Sequence, residues 1–221
     1  MELYEAMAST FSAREFTDEP VPDATIFRIL DRARFAPSGG NRQGWRVIVV
    51  RDRKTREAIA EATRPAAKRY TAQGKLGESP WNSVDPTKAD AATIERTEPM
   101  PRLIDPVLKA AAVLVVCVDL KVVASIDQYL PRVGVVSGAS VYPFAWNVML
   151  AARHEGYGTN ITTLAIAEEP ALKAALGIPP HVAVAAIMPF GRPVRQLTKL
   201  KRKPVSEFAM VERWGGPPLA G

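Results

Sequence analysis

The chain has 221 residues, of which 47% are hydrophobic and 24% are charged, a composition typical of one medium-sized globular domain that can bury a core. Its single cysteine, Cys117, excludes an internal disulfide and a multi-cysteine metal site, and its first residues do not follow the pattern of a signal peptide, so we expect a cytoplasmic location. The net charge of +6 is compatible with nucleic acids, anionic membranes or phosphorylated small molecules as partners.

The residue pattern of the first part of the chain, residues 2–63, predicts three helices and one strand. Residues 2–9 are rich in helix formers, and residues 23–36 carry apolar side chains at the 3.6-residue period of an amphipathic helix. Pro37 ends this helix, because proline cannot donate the backbone hydrogen bond that a helix needs. After a glycine-containing loop, residues 47–50 predict a buried strand and residues 52–63 a further helix.

The segment that follows has a weaker pattern. Residues 64–106 are polar, contain several prolines and carry few apolar anchors. A long segment of this kind is typical of a mobile lid or a disordered loop. We therefore expect a single domain, residues 1–221, with a lid insertion at about 65–105.

Strands and helices alternate again in the second part of the chain. Residues 110–120 predict a second buried strand, residues 134–155 a charge-poor helix and residues 168–176 a short helix. Residues 181–191 predict a third strand. Residues 192–221 then form an extended basic tail.

One stretch has the length of a transmembrane helix. From Val133 to Ala152 the chain has twenty residues without a charge, enough to cross a bilayer. Pro143, Asn147 and two serines interrupt its apolar character. We therefore interpret the stretch as a helix buried in the core or at a subunit interface, with no membrane as partner.

The sequence lacks the motifs of several common nucleotide-binding, hydrolase and metal sites. The chain lacks both G-x-G-x-x-G after a strand and G-x-x-x-x-G-K-[ST], and it lacks the G-x-S-x-G elbow of hydrolases. His154 and His181 have no partner at the spacing of metal ligands. We therefore predict no metal site.

Polar residues gather at the ends of the predicted elements. They follow the first helix, fill the loop after Pro37, follow the charge-poor helix and recur in the tail. These residues are Ser12, Arg14, Ser38, Asn41, Arg42, Gln43, Thr159, Asn160, Thr162, Thr163, Lys201 and Arg202. Cations at both ends of the chain, with hydroxyl and amide groups between them, suit an anionic ligand that carries a polar heterocycle.

Four motifs in these regions resemble the FMN-dependent nitroreductase family. TFSAREF, residues 10–16, is similar to the family's phosphate-binding R-R-S-x-R-x-F, and APSGGNRQGW, residues 36–45, to its A-P-S-x-x-N-x-Q-P-W. NVMLAARHEGYG, residues 147–158, resembles N-x-x-L-A-A-x-x-x-G-x-G. Residues 188–208 resemble the family's closing strand, glycine turn and K-R-x-P tail. The motifs follow the family's order, and only residues 65–105 have no counterpart.

The resemblance implies a fold and an activity. The fold is α+β, a three-layer sandwich in which helices flank a central mixed or antiparallel sheet, assembled as a domain-swapped homodimer with FMN at the interface. The activity is that of an oxidoreductase: NADH or NADPH gives hydride to FMN, and electrons pass to a small organic acceptor such as a nitroaromatic or a quinone. The flavin carries the chemistry, so the resemblance implies no catalytic residue and no nucleic-acid partner.

The resemblance also implies a set of cofactor-binding residues. In order along the chain they are Ser12, Arg14, Pro37, Ser38, Asn41, Gln43, Thr162, Thr163, Lys201 and Arg202. The cations among them are expected at the phosphate, Ser38 near the ribityl chain, and Asn41 and Gln43 at the edge of the isoalloxazine ring. The glycines of this loop let backbone approach the flavin closely.

Three positions depart from the family pattern. Thr10 and Phe11 replace the usual Arg-Arg, so one phosphate-binding cation is missing. Gly44 replaces the usual proline before Trp45, which loosens the loop beside the flavin. Substrate choice is expected to reside in the unmatched insertion, with Tyr70, Trp81 and Arg102 as candidates.

Alternative functions stay open. The branch that includes iodotyrosine deiodinase shares the P-S-G triplet, the paired threonines and the sequence LKRKP. The acidic, tyrosine and lysine residues with which that branch grips an amino acid have no clear counterpart, so the resemblance does not carry over the deiodinase activity. A deiodinase- or dehalogenase-like flavoenzyme is kept as an alternative. A flavin-binding or storage protein without turnover is another. The cations of residues 192–203 leave a nucleic-acid-associated protein as a third, although they lack interleaved aromatics.

Overall fold

The computed structural model describes residues 1–220, and Gly221, the end of the predicted tail, lies outside them. The described residues form seven α-helices and four β-strands. The helices are α1 (Leu3–Ser9), α2 (Asp23–Ala33), α3 (Arg53–Lys75), α4 (Ala91–Arg96), α5 (Asp105–Lys109), α6 (Tyr142–His154) and α7 (Glu169–Leu176). The strands are β1 (Trp45–Val50), β2 (Ala112–Asp119), β3 (Gly158–Thr159) and β4 (Val182–Gly191).

The four strands form one antiparallel sheet in the order β1-β2-β4-β3. β1 and β2 pair along their full overlap, with Trp45 opposite Val118. The register between β2 and β4 shifts by one residue after Val116, which marks a β-bulge. A single parallel bridge joins Ser12 to Thr159 beside the short strand β3. β1 is left at one edge of the sheet and β3 at the other.

Helices cover both faces of this sheet. Alternate residues of a strand point to opposite faces, and in β2 Leu114 and Val116 pack with α2 and α6 while Val113 and Val115 pack with α3, α5 and α7. Both sets of side chains are buried, which explains why β2 reads as a continuous apolar run. The predicted three-layer α+β arrangement is therefore present.

The predicted insertion contains more regular structure than expected. α3 does not end near residue 63; it continues to Lys75 with Pro65 in its interior. Pro65 removes one backbone donor, but Ala66, Ala67 and Ala72 on the same helix are buried. Their packing holds the last turns in place. The expectation of a disordered segment is therefore wrong for this part, and also for α4.

The charge-poor helix is shorter than predicted. It begins at Tyr142, and residues 136–140 form a separate 3-10 helix before it. Pro143 lies in the first turn of α6, where its missing N–H costs nothing. Among residues 1–220, no helix has both the length and the apolar character that crossing a bilayer requires.

Candidate functional site

A cavity of about 200 Å³ lies between the segment after α1, the middle of α3, the residues before α5 and the loop between β3 and α7. Its polar lining consists of Arg14, Tyr70, Arg102, Asn160, Thr162 and Thr163. The fold thus brings Arg14 together with Thr162 and Thr163, residues of the predicted cofactor set from distant parts of the chain. Arg102, which belongs to none of the four motifs, lies in the same cavity.

The segment that carries Arg14 is fixed by the residues around β3. The backbone N–H of Ala13 donates to the carbonyl of Thr159 at 3.1 Å, and the side-chain amide of Asn160 donates to the carbonyl of Ala13 at 2.6 Å. Asn160 is 3% exposed. A Cβ on Gly158 would lie 2.7 Å from the Cβ of Ala13, so only glycine allows this approach.

The two threonines are placed by the central sheet. The N–H of Thr162 donates to Ile187 of β4 at 3.0 Å, and the N–H of Ile187 donates back to Thr162 at 2.8 Å. The carbonyl of Thr163 accepts from Ile166 at 3.0 Å and begins a 3-10 helix. Within the described chain, neither threonine hydroxyl makes a hydrogen bond. Both hydroxyls are therefore free to bind a ligand.

The cavity carries a local excess of positive charge. The only described side-chain hydrogen bond of Arg14 goes to the carbonyl of Ser12 at 3.3 Å. Neither Arg14 nor Arg102 forms an ion pair with any acid in residues 1–220. Partial burial of the Arg14 guanidinium, together with the nearby charge of Arg102, lowers the pKa of Arg14 below its ordinary value. Two adjacent unpaired guanidinium groups suit an anionic ligand.

The loop after Pro37 has a second, separate set of polar groups. The hydroxyl of Ser38 accepts from the N–H of Gln43 at 2.9 Å, and the side-chain amide of Gln43 donates to the side-chain oxygen of Asn41 at 3.2 Å. Asn41 and Gln43 have positive backbone φ angles of 53° and 49°, which are uncommon for residues other than glycine. Both side chains are exposed. The loop thus presents two amides on a strained backbone, a combination that is frequent at ligand sites.

A single chain does not bring all the predicted residues together. The cavity around Arg14 is lined neither by the loop residues nor by the tail residues of the predicted set. These residues are Pro37, Ser38, Asn41, Gln43, Lys201 and Arg202. In the tail, the guanidinium of Arg202 donates to the carbonyl of Lys201 at 2.9 Å, and both side chains are exposed. Ser12 adjoins the cavity through its bridge to Thr159.

A larger cavity of about 600 Å³ adjoins the first. Tyr70, Thr163 and Leu164 line both cavities. The larger one is mostly apolar, and Trp81 and Tyr142 supply aromatic walls. The two cavities thus form one cleft, with a cationic end and an aromatic end.

Comparison with known proteins shows the family of the chain. The family model described as the nitroreductase family matches residues 7–192. The chain belongs to the nitroreductase family. The matched range includes Arg14, the loop after Pro37 and both threonines, and it ends before Lys201 and Arg202 of the tail.

Individual nitroreductase-family relatives have different names. The chain is 30% identical over 184 residues to an Archaeoglobus fulgidus protein provisionally named NADH dehydrogenase/NAD(P)H nitroreductase, covering 82% of this chain and 80% of that one. It is 27% identical over 221 residues to iodotyrosine deiodinase 1 of Rattus norvegicus, covering 95% of this chain and 69% of that one. A solved structure of a provisionally named nitroreductase from Desulfovibrio desulfuricans in complex with FMN gives a TM-score of 0.70 at 21% identity, covering 97% of this chain and 98% of that one. This likeness confirms the predicted nitroreductase-like α+β fold of the chain.

Of three further residues at the cavity, Gly158 was not predicted, Asn160 was predicted only as one of the polar residues after the charge-poor helix, and Arg102 only as a candidate for substrate choice. Gly158 and Asn160 hold the Arg14 segment, and their signal was present, since the third motif ends at Gly158 and Asn160 lies two residues beyond it. Arg102 lies in the segment without a motif, and only the packing of α3 and α5 brings it to Arg14.

Proposed function

We propose that this chain is an FMN-dependent oxidoreductase. The observation that carries the proposal is the meeting of Arg14, Thr162 and Thr163 in one cavity, where Arg14 has no acid partner in residues 1–220. The names of the relatives support it, because one is provisionally named NADH dehydrogenase/NAD(P)H nitroreductase and another provisionally named nitroreductase was solved in complex with FMN. We further propose that the protein works in the cytoplasm.

The polar groups present fit the chemistry of FMN. The cofactor has a phosphate, ribityl hydroxyls and a ring with amide-like edges, so it needs cations, short hydroxyl groups and amides. The unpaired Arg14 and the free threonine hydroxyls meet this need. The hydroxyl of Thr159, buried without a hydrogen-bond partner in the described chain, marks a further polar atom beside the cavity.

The residues then have the following roles. When bound, FMN supplies the redox chemistry, taking hydride from NADH or NADPH and passing electrons to a small organic acceptor such as a nitroaromatic or a quinone. Arg14 and Ser12 bind the negatively charged part of the cofactor, and the two threonine hydroxyls hold its ring in position. Ser38, with Pro37 fixing the loop, contacts the ribityl chain. Two further groups complete the predicted set. The amides of Asn41 and Gln43 contact the edge of the isoalloxazine ring, and the cations Lys201 and Arg202 contact the phosphate.

A homodimer would unite the two sets of residues. Loop and tail do not reach the Arg14 cavity in their own chain, so we propose that a partner chain supplies them and that the tails are exchanged. The tail has large exposed apolar side chains, with Phe208 63% and Trp214 93% exposed. Trp146 of α6 is 38% exposed, which fits the proposal that α6 lies at the interface.

Absorbance of the purified protein tests the proposal. We expect a yellow protein, or one that becomes yellow with added FMN. Arg14→Ala should weaken FMN binding about ten-fold or more, because it removes a charge-assisted hydrogen bond. Arg53→Ala is the matched control, since Arg53 pairs with Glu57 on the surface of α3 at 2.8 Å. A purified protein that is colourless and does not bind added FMN would overturn the proposal.

A reductive dehalogenase is the second candidate. The similarity to rat iodotyrosine deiodinase 1 favours it. If the protein releases iodide from an iodotyrosine faster than it reduces a nitroaromatic or a quinone, the dehalogenase function replaces the first proposal. A bound flavin that neither NADH nor NADPH bleaches would instead indicate a flavin-binding protein without turnover.

A further inference from the structure

Arg102 adds a positive charge that the four motifs do not require. It lies before α5, in the segment without a family counterpart, yet it lines the same cavity as Arg14, near enough for its charge to act on that residue. Its guanidinium makes neither a hydrogen bond nor an ion pair with any residue among the first 220. Like charges this close repel each other, so the arrangement gains stability when an anion binds between or beside them.

The cleft continues from Arg102 toward an aromatic wall. Tyr70 lines both the cationic cavity and the larger apolar one. Trp81 and Tyr142 line the apolar cavity, together with aliphatic residues that include Ile166. A flat apolar ring fits such a wall, because aromatic side chains stack favourably on rings. An acidic group on that ring would then lie on the Arg102 side of Tyr70.

Trp81 is held in a fixed position. Its φ angle is 59°, a strained value for a bulky residue. Its backbone N–H donates to the side-chain oxygen of Gln73 at 3.1 Å, and its indole N–H donates to the carbonyl of Ala66 at 3.4 Å. The guanidinium of Arg69 lies 4.3 Å from its ring. Gln73 itself is 1% exposed, so a buried anchor keeps the strained tryptophan in the cleft wall.

We propose that the cleft selects an aromatic acceptor that carries an acid group, with Arg102 as the specificity-determining residue. The ring of the acceptor packs against Trp81, Arg102 binds its carboxylate, and the Tyr70 hydroxyl donates a further hydrogen bond to it. The proposal rests on the proposed function and names the class of its acceptor.

Benzoate and benzamide test it as probes that do not react, so no turnover is needed. Calorimetry on the FMN-loaded protein should show that benzoate binds about ten-fold or more tightly than benzamide, the difference expected for one charged hydrogen-bonded contact. Arg102→Ala should abolish this preference and leave the FMN affinity unchanged. Arg102→Lys should restore part of it. Arg96→Ala, at an exposed position in the last turn of α4, is the control and should keep the full preference.

Three results would overturn the proposal. They are equal binding of the two probes by the unmodified protein, a preference that survives Arg102→Ala, and a loss of FMN affinity in that variant, which would assign Arg102 to the cofactor. A protein that binds no FMN would refute the proposed function instead. The same calorimetry on the flavin-free chain would still decide whether Arg102 selects the anion.

Discussion

Gly158 controls how closely β3 approaches the segment that carries Arg14. A Cβ at this position would lie 2.7 Å from the Cβ of Ala13 and 3.3 Å from the ring of Pro193, so Gly158→Ala must push the segment away. We expect the free energy of unfolding to fall by about 1–3 kcal/mol, as for other overpacked sites. The affinity for FMN should fall as well, because Arg14 moves. Urea denaturation and flavin titration measure the two effects.

Gly74→Ala is the control for this substitution. Gly74 lies in α3, and no heavy atom lies within 4 Å of the position its Cβ would take. Alanine favours a helix over glycine by about 0.5–1 kcal/mol, so this variant should be more stable. An equal loss of stability in both variants would contradict the steric account of Gly158.

Single residues also show what the sequence can predict about the site. Arg14 could be singled out because it lies in the first motif, and the paired threonines because the iodotyrosine deiodinase branch shares them. All three line the same cavity, and their contact with a cofactor stays a prediction. Arg102 was predictable only as a candidate for substrate choice, with no motif behind it. Its position depends on the packing of α3 against α5, which no local pattern encodes.

Among the helices and strands, the burial of side chains explains which predicted bounds are correct. β2 and β4 were predicted correctly because strands buried on both faces are apolar throughout. The end of α3 was misplaced, because residues 64–106 carry few apolar anchors, whereas the buried alanines after Pro65 extend the helix to Lys75. The start of α6 was misplaced for a different reason: residues 136–140 are apolar enough for a helix but form a separate 3-10 helix.

Asp127 anchors the long connection from β2 to α6. Its side chain is 4% exposed, accepts from the N–H of Val135 at 2.8 Å and pairs with Arg132 at 2.7 Å. These hydrogen bonds lower the pKa of Asp127 below its ordinary value. The stabilisation is therefore complete above the ordinary pKa of about 3.9 and is lost as the pH falls through the lowered one.

Asp127→Asn tests this anchor. We expect a lower denaturation midpoint at pH 7 and a flatter decline of stability below about pH 4, where the native carboxylate becomes protonated. Midpoints measured across this pH range give both quantities. Asp18→Asn, at an exposed position, serves as the control and should keep the decline. An unchanged midpoint for Asp127→Asn at neutral pH would rule out the anchor.

For the whole molecule, the three-layer fold was predictable and the complete site was not. The resemblance implied that residues from distant parts of the chain meet, and one chain accounts for only part of that set. The remaining residues lie on a loop and a tail at the surface. Under the proposed function a partner chain brings these residues to Arg14, so the oligomeric state is the property that tests the site.

The C-terminal tail allows a test of the proposed homodimer. It folds back on itself, since Leu219 donates to the carbonyl of Ala209 at 3.0 Å and Val211 to that of Pro217 at 2.8 Å. Trp214 lies near the turn and is 93% exposed, as expected of an anchor that is buried only in a partner. The unmodified protein should sediment at about twice the 24.0 kDa of the chain.

Replacing both Phe208 and Trp214 by aspartate should give a monomer, because two charges would have to be buried at the interface. FMN binding should weaken with dimer loss, since the partner's loop and tail no longer reach Arg14. Val84→Asp is the control: Val84 is also apolar and is 87% exposed, but it lies between α3 and α4. An unmodified monomer that binds FMN fully, or a double variant that remains a flavin-loaded dimer, would show that the tail does not complete the site.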